Sequence, residues 1–127
     1  MDEMVSNNKI LIIDSDKDTC RLLQFSLMKD GFEVQCVQSL REGYDVIVSS
    51  SPGIIIIDIN LADGAGLEAL RLIEIIKSIH PGAHVISSSV CNGNNERGKS
   101  LDSGASYFVD KPFSGKEIHS IVHRIAS

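Results

Sequence analysis

Four side chains of this 127-residue sequence close or follow apolar runs and carry groups that could do chemistry together: Asp14, Asp58, Ser89 and Lys111. Asp58 ends Gly53-Ile54-Ile55-Ile56-Ile57-Asp58, and Asp14 ends Lys9-Ile10-Leu11-Ile12-Ile13-Asp14. Ser89 closes His84-Val85-Ile86-Ser87-Ser88-Ser89, and Lys111 stands two residues past Ser106-Tyr107-Phe108-Val109. Clustered carboxylates are hard oxygen ligands suited to Mg²⁺. A central carboxylate can attack phosphorus as a nucleophile and become an aspartyl phosphate. An ammonium neutralises charge on a transferring phosphoryl group, and a hydroxyl donates to one of its oxygens. On its own stretch Asp58 is equally well read as a cap of the loop that follows, since Asp is common at turns.

Whether these groups meet depends on the elements that carry them. Consecutive isoleucines read as a short strand buried on both faces, the pattern of a central strand in a parallel sheet. The Lys9–Ile13 run is a second such strand. Thr19, Leu22, Leu23, Ser26 and Leu27 share one helix face, and Gly31 is a C-cap. Phe32 to Val37 alternates as a strand. Ser39 with Glu42 makes a capping-box start for a helix to about Val48. After Asp58 comes a glycine-rich loop to Gly66, then a helix from Leu67 to Ile79 with Glu68, Arg71, Glu74 and Lys77 on its wet stripe. Its apolar sector is wide, and burial against the sheet is the favoured reading. Asn92–Ser103 is a poor helix: it holds Gly93 and Gly98, each costing roughly 0.5–1 kcal/mol relative to Ala, and Leu101 is its only large apolar residue. Residues 91–100 are therefore expected to form a short or frayed helix. Ser114 with Glu117 opens the last helix, whose apolar face is Ile118, Ile121, Val122 and Ile125.

Strand and helix thus alternate five times. This predicts an α/β fold: a doubly wound parallel sheet of five strands with helices on both faces, joined by right-handed crossovers. All five strands then point their carboxyl ends one way, and Asp14, Asp58, Ser89 and Lys111 converge on one edge. Ligands and chemistry sit at that edge in open α/β sheets.

Composition narrows the classes. A net charge of -5 argues against nucleic-acid binding by this domain. The apolar runs fall far short of the ~20 residues of a membrane span, and Met1 to Asn8 is polar, without a signal-peptide core. The expected organisation is a loose tail over 1–8 and one domain over 9–127. Three cysteines with no C-x-x-C spacing fit a reducing cytosol, with Cys20 and Cys36 as small core thiols and Cys91 an exposed one. His119 and His123 are spaced to share a helix face, but without a third ligand in view they read as cations in a terminal helix turn.

The arrangement resembles the receiver domain of two-component response regulators over essentially the whole chain. Ile12-Ile13-Asp14-Ser15-Asp16 is similar to the family's acidic turn, Asp58 to its phosphoacceptor, and Asp63-Gly64-Ala65-Gly66-Leu67 to its loop into the third helix. Gly104-Ala105 followed by Lys111-Pro112-Phe113 is similar to its terminal signature. The resemblance implies a flavodoxin-like (βα)5 fold with strand order 2-1-3-4-5 and a cis Lys111–Pro112 bond. It also implies Mg²⁺ held by Asp14, Asp58 and the Asn60 carbonyl, and Ser89 and Phe108 as switch residues. The implied partners are a histidine kinase and an output protein or domain of unknown identity, in the cytoplasm. The implied role is not that of an enzyme beyond catalysis of its own phosphorylation and dephosphorylation.

The departures from the family pattern are chemical. Ser15 stands where a second metal-binding acid is usual, with Asp16 one residue further on. Ala62 replaces a proline, Val90 replaces a small residue after Ser89, and Phe108 lacks a hydroxyl. Mg²⁺ binding is accordingly expected to be weak, with Asp16 able to compensate if the turn brings it inward. Ser15 and Val90 sustain an alternative, a receiver fold that binds partners without being phosphorylated. Asp14-x-Asp16 also resembles the nucleophile motif of haloacid-dehalogenase-type phosphatases, which would leave Asp58 without a role. A flavodoxin-like cofactor carrier would need phosphate-binding donors where Asp14 and Asp16 stand.

Overall fold

Each of the five apolar or alternating runs forms a strand in the computed structural model, which describes residues 7–61, 67–90 and 95–126. In chain order the elements are β1 (Lys9–Ile13), α1 (Lys17–Met28), β2 (Glu33–Val37), α2 (Leu40–Ser50), β3 (Ile54–Asp58), α3 (Leu67–Ile79), β4 (His84–Ser89), α4 (Glu96–Ser103), β5 (Tyr107–Asp110) and α5 (Gly115–Ala126). The sheet order is β2-β1-β3-β4-β5 and every pairing is parallel.

The residue-by-residue alternation of the central strands splits the core in two. Leu11, Ile13, Ile55 and Ile57 face one side with Ile47 of α2 and Leu72, Ile73 and Ile76 of α3. Ile10, Ile12, Ile54 and Ile56 face the other with Leu23 and Leu27 of α1 and Ile118 and Val122 of α5. Each such side chain removed from water contributes roughly 1.5–3 kcal/mol, so β1 and β3 are held from both faces. The wide apolar sector of α3 is only partly consumed: Ala69, Leu70, Leu72, Ile73 and Ile76 are buried, while Leu67, Ile75 and Ile79 remain exposed.

Helix starts follow local chemistry. The Glu42 N–H donates to Ser39 Oγ at 3.1 Å, and the Glu42 carboxylate accepts from the Gln38 N–H at 3.2 Å. The Glu117 N–H donates to Ser114 Oγ at 3.1 Å. Gly31 ends α1 with φ +89°, a left-handed conformation that costs glycine little. Asn8, the last residue of the expected tail, donates from Nδ2 to the Gly31 carbonyl at 2.9 Å and accepts from the Glu33 N–H at 3.0 Å.

Two expectations need correction. Cys20 and Cys36 do pack on the α1 face of the sheet, but as a disulfide and not as two thiols, with Cα atoms 6.1 Å apart. The antiparallel return of α1 over β2 brings residues 16 apart in sequence within bonding reach. The second concerns α4. Leu101 does not anchor it, being 38% exposed; the buried residues are Glu96 and Ser100. Ser100 Oγ accepts from Ser87 Oγ at 2.8 Å, so a hydrogen bond replaces the missing apolar contact. The helix is only eight residues long, and its N-cap Asn95 makes no side-chain cap bond. The part of the expected frayed stretch at 91–94, with Cys91, lies outside the described residues, as does the loop 62–66.

Gly104 closes α4 with φ +122°, and a Cβ there would meet Lys77 Cγ at 2.5 Å. Gly104→Ala is expected to cost about 1–3 kcal/mol in urea unfolding, from the forced backbone conformation. A loss below about 0.5 kcal/mol, the usual limit for neutral surface changes, would mean that the turn relaxes freely.

Candidate functional site

Parallel pairing fixes where the chemistry-bearing residues emerge. Ile13 pairs with Ile57 and Asp58 with Ser88, so Asp14 and Asp58 leave adjacent strands at the same level. Ser89 pairs with Asp110, one residue before Lys111. Asp14, Asp58, Ser89 and Lys111 therefore share the carboxyl edge of the sheet, as the alternation predicts.

Asp14 is 3% exposed and Asp58 8%, so neither carboxylate can rely on water alone. Lys111 answers both. Its Nζ donates to Asp14 Oδ2 at 2.8 Å and to Asp58 Oδ2 at 3.1 Å. Backbone N–H groups hold the other two oxygens: Asp16 donates to Asp14 Oδ1 and Asn60 to Asp58 Oδ1, each at 2.9 Å. Burial is the largest influence on the Lys111 ammonium and pulls its pKa down. The hydrogen bond to Asp14, the charges of Asp58 and Asp14 and the bond to Asp58 together outweigh it and raise the pKa above the ordinary 10.5. The Lys111–Pro112 bond is cis, and the Lys111 N–H donates to the Ser89 carbonyl at 2.8 Å.

Two ionised carboxylates against one ammonium leave a net charge of about minus one in a nearly dry setting. That donor set, all oxygen, fits a hard divalent cation. Asp14 and Asp58 could hold Mg²⁺ with the Asn60 carbonyl, which lies in the turn just past β3. The Asn60 side chain is itself fixed, its Oδ1 accepting from the Val90 N–H at 3.0 Å, which ties the β3 turn to the end of β4.

Asp16 does not join the cluster. Its carboxylate caps α1, accepting from the Asp18 N–H at 3.1 Å and from Thr19 Oγ1 at 2.7 Å. The Thr19 bond first, then the Asp18 bond, lower its pKa below 3.8. A carboxylate with a depressed folded-state pKa stabilises above the unfolded value, and this contribution disappears as pH falls through the folded one. Ser15 is exposed. Ser89 is fully buried at the strand end, and Phe108 is buried with the Arg97 guanidinium 5.3 Å from its ring centre.

Beside the cluster lies a cleft of about 290 Å³ lined by Asp16, Thr19, Leu22, Val90, Lys111, Pro112 and Phe113. Val90 is 57% exposed and forms part of this wall. Sequence reasoning missed Thr19 and Leu22 as wall residues. The Asp16-x-x-Thr19 spacing is an N-cap signature and could have shown that Asp16 is already engaged. Among the described residues no helix is long and apolar enough to cross a membrane.

Solved structures share this architecture. A two-component response regulator from Clostridium difficile is 27% identical, with TM-score 0.82 over 92% of this chain and 93% of its own. A response regulator from Thermotoga maritima is 22% identical, with TM-score 0.83 over 94% of this chain and 98% of its own. A CheY-like response regulator receiver domain protein from Methanospirillum hungatei JF-1 is 23% identical, with TM-score 0.84 over 94% of both chains. Residues 10–123, which carry both acids, the serine and the lysine of the edge cluster, match the response regulator receiver domain family, and the chain belongs to it.

Proposed function

We propose that this chain is a phosphoacceptor signalling domain in which Asp58 takes a phosphoryl group from a histidine kinase. The observation that carries this reading is the partly buried ammonium of Lys111 shared between Asp14 and Asp58 at the sheet's carboxyl edge. An oxygen of Asp58 attacks phosphorus, the bond from phosphorus to the donor nitrogen breaks, and the donor histidine leaves. Hydrolysis of the acyl phosphate returns the carboxylate. Lys111 holds charge on the transferring group, and Ser89 donates its hydroxyl to a phosphoryl oxygen. Bound Mg²⁺ would supply further charge neutralisation, held by Asp14, Asp58 and the Asn60 carbonyl. Recruitment of Ser89 then biases Phe108 and α4, and an output protein or domain prefers one of the two states. The proposed domain spans 9–127, acts in the cytoplasm and is not an enzyme beyond its own phosphorylation cycle. In a reducing compartment Cys20 and Cys36 would stand as thiols.

The engagement of Asp16 in the α1 cap favours one alternative, a receiver fold that binds partners without phosphorylation, because it leaves the site one acid short. Intact mass after incubation with acetyl phosphate and Mg²⁺ separates the two. A single phosphoryl adduct on wild type that is absent from Asp58→Asn is the expected result. No adduct at any Mg²⁺ concentration selects the alternative, and an adduct that persists in Asp58→Asn and vanishes in Asp14→Asn overturns the site assignment.

A further inference from the structure

Away from the carboxyl edge, one group of side chains has ligand chemistry that the phosphoacceptor reading does not use. Asp30 lies just past α1, fixed in a turn by its N–H to the Leu27 carbonyl and by the Gly31 N–H to the Met28 carbonyl, both at 3.0 Å. His119 and His123 stand one turn apart on α5, with ring centroids 4.4 Å apart. Both imidazole Nε2 atoms approach the same oxygen, Asp30 Oδ2, that of His123 at 3.2 Å. The three ligand atoms lie within 4.8 Å of one another. We propose that Asp30, His119 and His123 form a binding site for a late first-row divalent ion such as Zn²⁺.

The ligand types select the metal. Imidazole suits Zn²⁺, Ni²⁺ and Cu²⁺, whereas Mg²⁺ prefers oxygen alone. Zn–N and Zn–O bonds are ~2.0–2.2 Å, which places neighbouring ligand atoms of a tetrahedral site roughly 3.3 Å apart. The Asp30–His123 separation is already of that size. Two protein nitrogens and one oxygen leave a position for water, and the partial exposure of all three side chains gives an ion its entry path. The site is remote from Asp58. Asn8 Nδ2 bonds the Gly31 carbonyl next to Asp30, at the amino ends of β1 and β2, so the group sits at the opposite edge of the sheet. A bound ion would join the end of α1 to α5, elements that otherwise meet through apolar contacts.

The test is a Zn²⁺ titration of the full chain carrying Cys91→Ser, with the Cys20–Cys36 disulfide intact so that no thiol competes. One ion should bind, and Mg²⁺ at the same concentrations should not displace it. His119→Gln, His123→Gln and Asp30→Asn should each weaken binding by about tenfold or more, as loss of a metal-orienting group does. Asp58→Asn should leave it unchanged. At a hundred times its Kd, Zn²⁺ should favour the folded state about a hundredfold and raise Tm by roughly 10 °C. Imidazole nitrogen resonances of His119 and His123 should shift with Zn²⁺. Affinity retained in the His119→Gln, His123→Gln double variant, or lost in Asp58→Asn, overturns the assignment. Neither outcome bears on whether Asp58 is phosphorylated.

Discussion

Replacing Ser15 with aspartate is expected to tighten Mg²⁺ binding about tenfold, or ~1.4 kcal/mol, and to lower the Mg²⁺ concentration at which Asp58 is half-maximally phosphorylated by a similar factor. Mg²⁺ favours carboxylate oxygen over a neutral hydroxyl, and it retains several waters that a correctly placed acid can displace. Ser15 is exposed beside Asp14, so a carboxylate there would add charge to the site in which Asp14 and Asp58 share Lys111. The control is Asp16→Asn. Asn caps helices about as well as Asp, so this variant keeps an acceptor for the Asp18 N–H and removes the charge, while its amide nitrogen replaces the oxygen that accepts from Thr19 Oγ1 and donates to that hydroxyl instead. It should change Mg²⁺ affinity by less than about threefold, the size expected of a screened neighbouring charge. The measurement is a Mg²⁺ titration of all three proteins. Equal affinities for wild type and Ser15→Asp, with binding lost in Asp16→Asn, would mean that Asp16 leaves its cap for the ion and that the site is complete without Ser15.

The strands and their edge were legible because a parallel sheet needs contiguous apolar runs, and a charged residue ending such a run can lie only at its margin. Asp14 and Asp58 follow directly from that constraint. The caps at Ser39 and Ser114 were legible for a similar reason, as short-range chemistry between residues three apart. Asp16 was legible only in part: the same carboxylate can cap a helix or turn to a metal, and the Thr19 three residues on is the signal that favours the cap. Leu101 misled because hydrophobicity alone names it the anchor of α4, whereas Ser87 supplies a buried hydroxyl that makes Ser100 the better inward residue. The Cys20–Cys36 pair depends on how α1 lies over an edge strand, a tertiary fact that no cysteine spacing encodes. Asp30 is 93 residues from His123, so the third member of that group exists only once α1 and α5 pack.

Lys111→Met is expected to have the largest effect on the edge cluster, and in two separable ways. Methionine keeps most of the aliphatic stem and removes only the charge. Phosphorylation of Asp58 from acetyl phosphate should slow by about 10²–10³, the usual effect of deleting one preorganised donor from a developing oxyanion. Stability should fall by about 2–4 kcal/mol at pH 7 without Mg²⁺, since Asp14 and Asp58 lose their shared counter-charge while still nearly dry. Saturating Mg²⁺ should restore part of that loss by taking the place of the ammonium. The pH dependence carries a sign. Lys111 has a folded-state pKa raised above 10.5, so its contribution is fully present below that value and is lost as pH climbs through the folded pKa. Wild type should therefore lose its advantage over Lys111→Met only above about pH 10.5 on the alkaline side. Urea unfolding of both proteins from pH 4 to 11.5, with and without Mg²⁺, measures this difference directly. A gap that stays flat as pH climbs past the Lys111 pKa would show that the stability difference does not come from the ammonium charge. A phosphorylation rate within about threefold of wild type, well short of the loss of a preorganised donor, would remove Lys111 from the transfer step.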